Sequence, residues 1–155
     1  VKTYLECFGE DVIHCGPLGS GQAMKAINNI IYNVNIAALC EVLPLAIAVG
    51  LDPEQVERLV LSGSARSFAS EYFVPRMMEG RFDTDYSLSA AYKDITNVQQ
   101  MVSDVSARTP IVDAMTGAYD AAIEAGFGDE PKSAMLKVYE KDLGVKVRRP
   151  GFDDR

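Results

Sequence analysis

No glycine occurs between Gly21 and Gly50, and that interval constrains the fold of this chain more than any other feature. A glycine-rich approach starting at residue 16 leads into one continuous helix, predicted over about residues 20–49. Met24, Ile27, Ile30, Ile31, Val34, Ala38, Val42, Leu45 and Val49 recur at steps of three and four, the spacing of a single buried helical face. At 1.5 Å per residue such a helix is roughly 43 Å long. That exceeds the diameter expected of a domain this size, so part of it is expected to pack on something outside the compact body. Pro44 removes one backbone hydrogen bond from the helix and is expected to kink it.

The same stretch carries a polar patch. Lys25 and Asn29 are four residues apart and project from one face, with Asn28 and Tyr32 beside them. Gly19 and Gly21, just before, let a ligand or another chain approach the backbone closely. On these residues alone, solvated first-turn side chains are the simpler account. Gly16, Gly19 and Gly21 lack the third glycine of a dinucleotide fingerprint.

Composition closes off several classes of function. The 155 residues suit one domain with a useful core. A net charge of −7 disfavours nucleic acid, which calls for a basic stripe. The longest apolar run, 36–49, is interrupted by Glu41 and Pro44 and is too short to span a bilayer, so no membrane partner is expected. The first residues lack the basic start and apolar core of a signal peptide. Cys7, Cys15 and Cys40 are odd in number with no CxxC spacing, which argues against a disulfide framework or zinc knuckle. A reduced, cytoplasmic setting is the simplest account. His14 is the only histidine, so a two-histidine metal site cannot be built, and no metal is expected.

In chain order, residues 1–9 read as the end of a helix and 11–15 as a short extended piece. An opening that starts mid-pattern, without a cap or an initiating methionine, is expected to be the tail of a preceding unit. Gly50 suits a helix C-cap, Asp52 the next N-cap and Pro53 its first position, predicting a second helix over 53–61. The loop 62–65 contains serines but has no histidine near it, so it is read as a loop rather than a nucleophile site. Residues 67–80 read as one or two short helices broken by Pro75 and closed by Gly80, and 81–87 as a connector. Further helices are predicted over 88–108, over 110–125 up to Gly126 and Gly128, and over 131–143. The tail 144–155 is expected to be surface-bound or mobile. Nothing alternates at period two for long enough to build a sheet, so the domain is predicted to be all-α.

Read together, these residues resemble a known family. Gly19-x-Gly21-x-x-x-Lys25-x-x-Asn28-Asn29, then Glu41, Gly50-Leu51-Asp52, Lys93-Asp94, Pro110, Tyr119, Ala125-Gly126-x-Gly128 and Ser133-Ala134 follow at the spacing of the C-terminal domain of the β-hydroxyacid dehydrogenases. That family includes 3-hydroxyisobutyrate dehydrogenase, tartronate semialdehyde reductase and the glyoxylate reductases. The likeness covers about residues 10–140 and implies a helical domain like the C-terminal one of 6-phosphogluconate dehydrogenase, built around the long helix.

The resemblance implies a two-domain oxidoreductase of which this is the second half. Residues 1–15 would end a preceding Rossmann domain that binds most of the NAD or NADP; 16–143 would bind substrate and form a homodimer or tetramer through the long helix. Lys25 matches the family's catalytic lysine. Gly21, Asn28, Asn29 and Tyr86 fall at substrate-binding positions, and Lys93 and Asp94 at cofactor-binding ones. The chemistry suits the residue types. Oxidising a small 3-hydroxy acid such as 3-hydroxyisobutyrate requires an acid/base group within hydrogen-bond reach of its hydroxyl. A lysine serves when a nearby cation and desolvation lower its pKa, and an amide one turn on orients the hydroxyl without competing for the proton. The chain departs from the family at Tyr86, where a phenylalanine is frequent, and at Ala90-Ala91-Tyr92, which lacks a polar residue that many members carry. A non-catalytic dimerisation or binding module of the same fold is the alternative. An imine reductase, which usually replaces the lysine, is disfavoured by Lys25.

Overall fold

The computed structural model describes residues 2–83 and 86–153. Val1 of the predicted helix end, Thr84 and Asp85 of the predicted connector, and the last two tail residues lie outside the described set. The chain folds as α1 (Lys2–Leu5), α2 (Ser20–Ala48), α3 (Pro53–Ser62), α4 (Phe68–Met78), α5 (Leu88–Asp104), α6 (Pro110–Ala122) and α7 (Leu136–Leu143). A π-helical turn, Ile123–Phe127, extends α6, and a 3₁₀ turn, Lys132–Met135, leads into α7. No strand occurs among the described residues, and residues 11–15 form no regular element.

α2 is the axis of the array: α3, α4, α5, α6, the 3₁₀ turn and α7 all pack against it. It begins at Gly19, whose φ of 94° is a left-handed turn, with no side-chain cap. It ends where Gly50 takes φ 88° and Leu51 N–H donates back to the Ala46 carbonyl at 3.1 Å, a closure that suits glycine. As predicted, Asp52 caps α3, accepting from Gln55 N–H at 3.0 Å, and Pro53 opens it. α2 runs on through Pro44, which is itself buried.

The predicted buried face of α2 is corrected by the structure. Ile30, Asn33, Ile36, Ala37, Cys40, Leu43 and Pro44 face inward, whereas Met24, Ile27, Ile31, Val42, Leu45 and Val49 are each more than half exposed. The reason is physical: the helix is apolar on two sides, so periodicity finds a stripe but does not say which stripe meets the core. The whole helix is also long and apolar enough to cross a membrane, by length and composition, which the interrupted run 36–49 did not suggest. Its inner face is the core of the array.

Pro75 does not break α4. The helix continues to Met78 because Phe73, Val74, Met77 and Met78 are all buried, and that packing offsets the roughly 3 kcal/mol an interior proline costs. α5 stops at Asp104, earlier than predicted, with Ser106 at φ 52° and Ala107 N–H closing onto the Val102 carbonyl. Leu88 and Ser89 N–H donate to the carbonyls of Glu130 and Gly128, both at 2.9 Å, tying the start of α5 to the loop before the 3₁₀ turn. A Cβ at Gly128 would lie 2.7 Å from Ser89 Oγ, so a larger residue there would have to turn the Ser89 side chain aside.

The segment after α7 is held down, unlike the surface-bound or mobile tail expected. Val147 is fully buried. Glu140 Oε1 accepts from Val147 N–H and Arg148 Nη1, both at 2.7 Å. Arg149 forks onto Glu57 at 2.8 and 2.6 Å and reaches Glu79 at 3.0 Å. Removing one partner of a buried ion pair strands the other, at a cost of about 3–5 kcal/mol. Glu140→Ala is therefore expected to lower the thermal midpoint by about 10 °C; calorimetry showing an unchanged midpoint would remove the tail from the stability of the fold.

Candidate active site

Lys25 and Asn29 stand one turn apart near the start of α2, and α5 packs alongside so that Asp94 meets them. Asn29 Nδ2 donates to Asp94 Oδ2 at 3.2 Å. With that N–H committed, the Asn29 amide has its oxygen and one N–H left for a ligand.

Two hollows share this trio. One, of about 330 Å³, is lined by Lys25, Asn29, Tyr32 and Asn33 of α2, Ala91 and Asp94 of α5, Tyr86 of the connector and Lys132 of the 3₁₀ turn. The other, of about 410 Å³, lies toward the start of α2 and adds Gly19, Gln22, Ala23, Ala26, Asn97 and Met101. Lys25 is thus at the boundary of a polar cavity and a hollow with an apolar floor and amide groups.

Of the residues singled out in the sequence, Lys25, Asn29, Tyr86 and Asp94 come together around the first cavity. Gly21 is exposed in the first turn of α2 and lines neither hollow; the space a Cβ would take there is empty. Asn28 faces a neighbouring hollow with Ile31, Asn35 and Phe68. Lys93 is exposed, one turn before Asn97 on α5, and lines neither hollow.

Lys132 and Asn33 went unremarked in the sequence. Lys132 is only 7% exposed, with its Nζ 4.3 Å from the Tyr32 ring centre and 5.9 Å from that of Tyr86, a cation–π arrangement. Its sequence signal was a lysine immediately before Ser133, Ala134, Met135 and Leu136, a run that proves wholly buried. Asn33 is 3% exposed and its Oδ1 has no hydrogen-bond partner. It continues the four-residue step Lys25, Asn29, Asn33, a row legible had the pattern been carried one turn further. Deeper in, burial pushes the Tyr119 hydroxyl well up from its usual range, with Cys40 and Tyr32 adding to it. Burial likewise pushes the Cys40 thiol up.

Comparison with known proteins identifies the family. The sequence model of the family described as "NAD-binding of NADP-dependent 3-hydroxyisobutyrate dehydrogenase" matches residues 19–139. The chain is 30% identical over 148 residues to 2-(hydroxymethyl)glutarate dehydrogenase of Eubacterium barkeri, covering 95% of this chain and 49% of that one. It is 26% identical to the mitochondrial 3-hydroxyisobutyrate dehydrogenase of Drosophila melanogaster, over 92% of this chain and 46% of the relative. The solved Mycobacterium tuberculosis 3-hydroxyisobutyrate dehydrogenase with L-serine superposes with a TM-score of 0.77 at 25% identity, over 88% of this chain and 49% of that one. The helical array is that of a β-hydroxyacid dehydrogenase domain. This chain belongs to the 3-hydroxyisobutyrate dehydrogenase family. It spans about half the length, or less, of the curated relatives it matches.

The Asn29–Asp94 bond joins α2 to α5, and hydrogen bonds to charged groups contribute about 1.5–3 kcal/mol. A double-mutant cycle with Asn29→Ala and Asp94→Ala, read by urea unfolding, is expected to give a coupling of about 1 kcal/mol or more. Strict additivity would show that the two side chains do not interact.

Proposed function

We propose that this chain is the helical, substrate-binding half of a two-domain NAD(P)-dependent dehydrogenase acting on a small 3-hydroxy acid, with Lys25 as general acid/base. The observation that carries this reading is the convergence of Lys25, Asn29 and Asp94, from two helices, on one cavity. The names of the Eubacterium barkeri and Drosophila melanogaster relatives support the substrate class, since each denotes an acid with a hydroxymethyl group on the carbon next to a carboxyl.

The second hollow suits the cofactor's reactive end. Its floor of Ala23, Ala26 and Met101, with the Gln22 and Asn97 amides, fits a flat ring bearing a carboxamide. Lys25 is the cation among its described lining residues, and this reading leaves the dinucleotide's phosphates to the other half of the enzyme. When bound, the nicotinamide supplies the hydride acceptor. Lys25 Nζ, at the boundary of the two hollows, takes the proton from the substrate hydroxyl as the carbonyl forms and returns it in reverse. Asn29, held by Asp94, orients that hydroxyl toward the base and leaves the carbinol C–H free to give up the hydride.

The outer stripe of α2 supports a homodimer or tetramer. Met24, Ile27 and Ile31 near the start of α2 and Val42, Leu45 and Val49 near its end leave apolar surface uncovered on one side of the helix, and such faces mark interfaces. A second copy presenting the same stripe covers it in an isologous contact.

Two measurements test these readings. In the complete enzyme, Lys25→Ala is expected to lower kcat by at least about 10²-fold in an NAD(P)H absorbance assay with 3-hydroxy acids. An unchanged rate would sink the role of Lys25, and wild-type inactivity across the panel would favour a non-catalytic binding module. Sedimentation equilibrium is expected to show a dimer or larger that dissociates in the Val42→Glu, Leu45→Glu double variant. A monomer at high micromolar concentration counts against the interface.

A further inference from the structure

Along the inner face of α2 the first buried residues are Ile30, Asn33, Ile36, Ala37 and Cys40, and Asn33 is the amide among them. It is 3% exposed, and its Oδ1 has no hydrogen-bond partner among the described residues. Asn29, one turn earlier, donates its own amide to Asp94. Buried amides are normally bonded, and leaving one unbonded lowers stability. An apolar side chain at this position would pack beside Ile36 and Ala37 without that penalty. The packing of the fold therefore gives no reason for an amide here. The cavity does give one: Asn33 lines the same hollow of about 330 Å³ as Lys25 and Asn29, and continues their row by one more helical turn.

We propose that Asn33 is a specificity-determining residue whose amide oxygen accepts a hydrogen bond from a second hydroxyl of the substrate, so that the preferred acid carries a hydroxylated substituent on the carbon next to its carboxyl. This rests on the dehydrogenase reading above and deepens it. The reacting hydroxyl lies against Lys25 and Asn29, and the second one reaches further along α2. The last side-chain torsion of asparagine is soft, so the amide turns to present Oδ1 to the hollow when the donor arrives. Four residues of helix rise about 6 Å. That spacing favours a hydroxymethyl substituent over a hydroxyl set directly on the same carbon. A neutral hydroxyl also suits a buried acceptor better than an ammonium, which costs more to desolvate. The cavity is at the small end of ligand sites and admits an acid of this size.

The test compares kcat/KM of the complete enzyme for 3-hydroxy-2-(hydroxymethyl)propanoate and for 2-(hydroxymethyl)butanoate, in which a methyl replaces the second hydroxyl, with 3-hydroxyisobutyrate as the reference substrate. Wild type is expected to favour the dihydroxy acid beyond the statistical advantage of its two equivalent hydroxyls. Asn33→Leu is expected to lower that preference by about 3- to 10-fold, the range for one neutral hydrogen bond. Should the leucine variant fail to fold, Asn33→Ala, which adds no bulk, is read in the same way. A ratio unmoved in the folded variant, a wild type without the preference, or turnover of 3-hydroxyisobutyrate alone overturns the assignment. If none of the three acids is oxidised, the dehydrogenase reading fails by itself, and calorimetry with the first two acids decides the binding site. Tighter binding of the dihydroxy acid that Asn33→Leu removes upholds it; absent, equal or Asn33-independent binding overturns it.

Discussion

The structure depends on the burial of the inner face of α2. Ile36, Cys40 and Leu43 are enclosed by elements from every later part of the chain, and at about 0.8 kcal/mol per buried methylene this contact dominates the stability of the array. It also fixes the rotation of α2 about its own axis. Once that rotation is set, Lys25, Asn29 and Asn33, spaced by four, form a single row beside α5 and the 3₁₀ turn. The polar row of the site and the apolar core are two consequences of one helix orientation. A change that rotates α2 disturbs both.

Among the described residues lining the cavity, Asp94 is the carboxylate. Asp94 is joined to Asn29, and Lys132 is enclosed by aromatic rings. Lys25 and Lys132 line the cavity with the amides of Asn29 and Asn33, in a chain whose overall charge is −7. The acidic surface contributes solubility rather than recognition.

Much of the architecture was legible because it depends on local chemistry. Asp52 and Pro53 announce α3, Gly50 ends α2, and Lys25 with Asn29 is visible as a pair because helical spacing alone brings those residues together. The misreadings share a cause: each required knowing what lies far away in sequence. The core-facing stripe of α2 could not be chosen without its neighbours, since both stripes are apolar. Pro75 survives in α4 because Phe73, Val74, Met77 and Met78 are buried, a fact of packing. The tail is held by Arg149 to Glu57, 92 residues away. Lys132 meets Tyr32 from a hundred residues away, and the apolar run after it marks burial without saying which cavity it lines.

The central claim is that the Lys25 amine carries the proton. Chemical rescue tests it most directly: the complete Lys25→Ala enzyme, saturated with cofactor and substrate, is assayed with added primary amines of graded basicity. The account predicts that small amines restore turnover, with a rate that rises with amine basicity along a Brønsted line. If the variant binds cofactor and substrate as wild type does and no amine restores any rate, the proton is carried by another group and the account is contradicted.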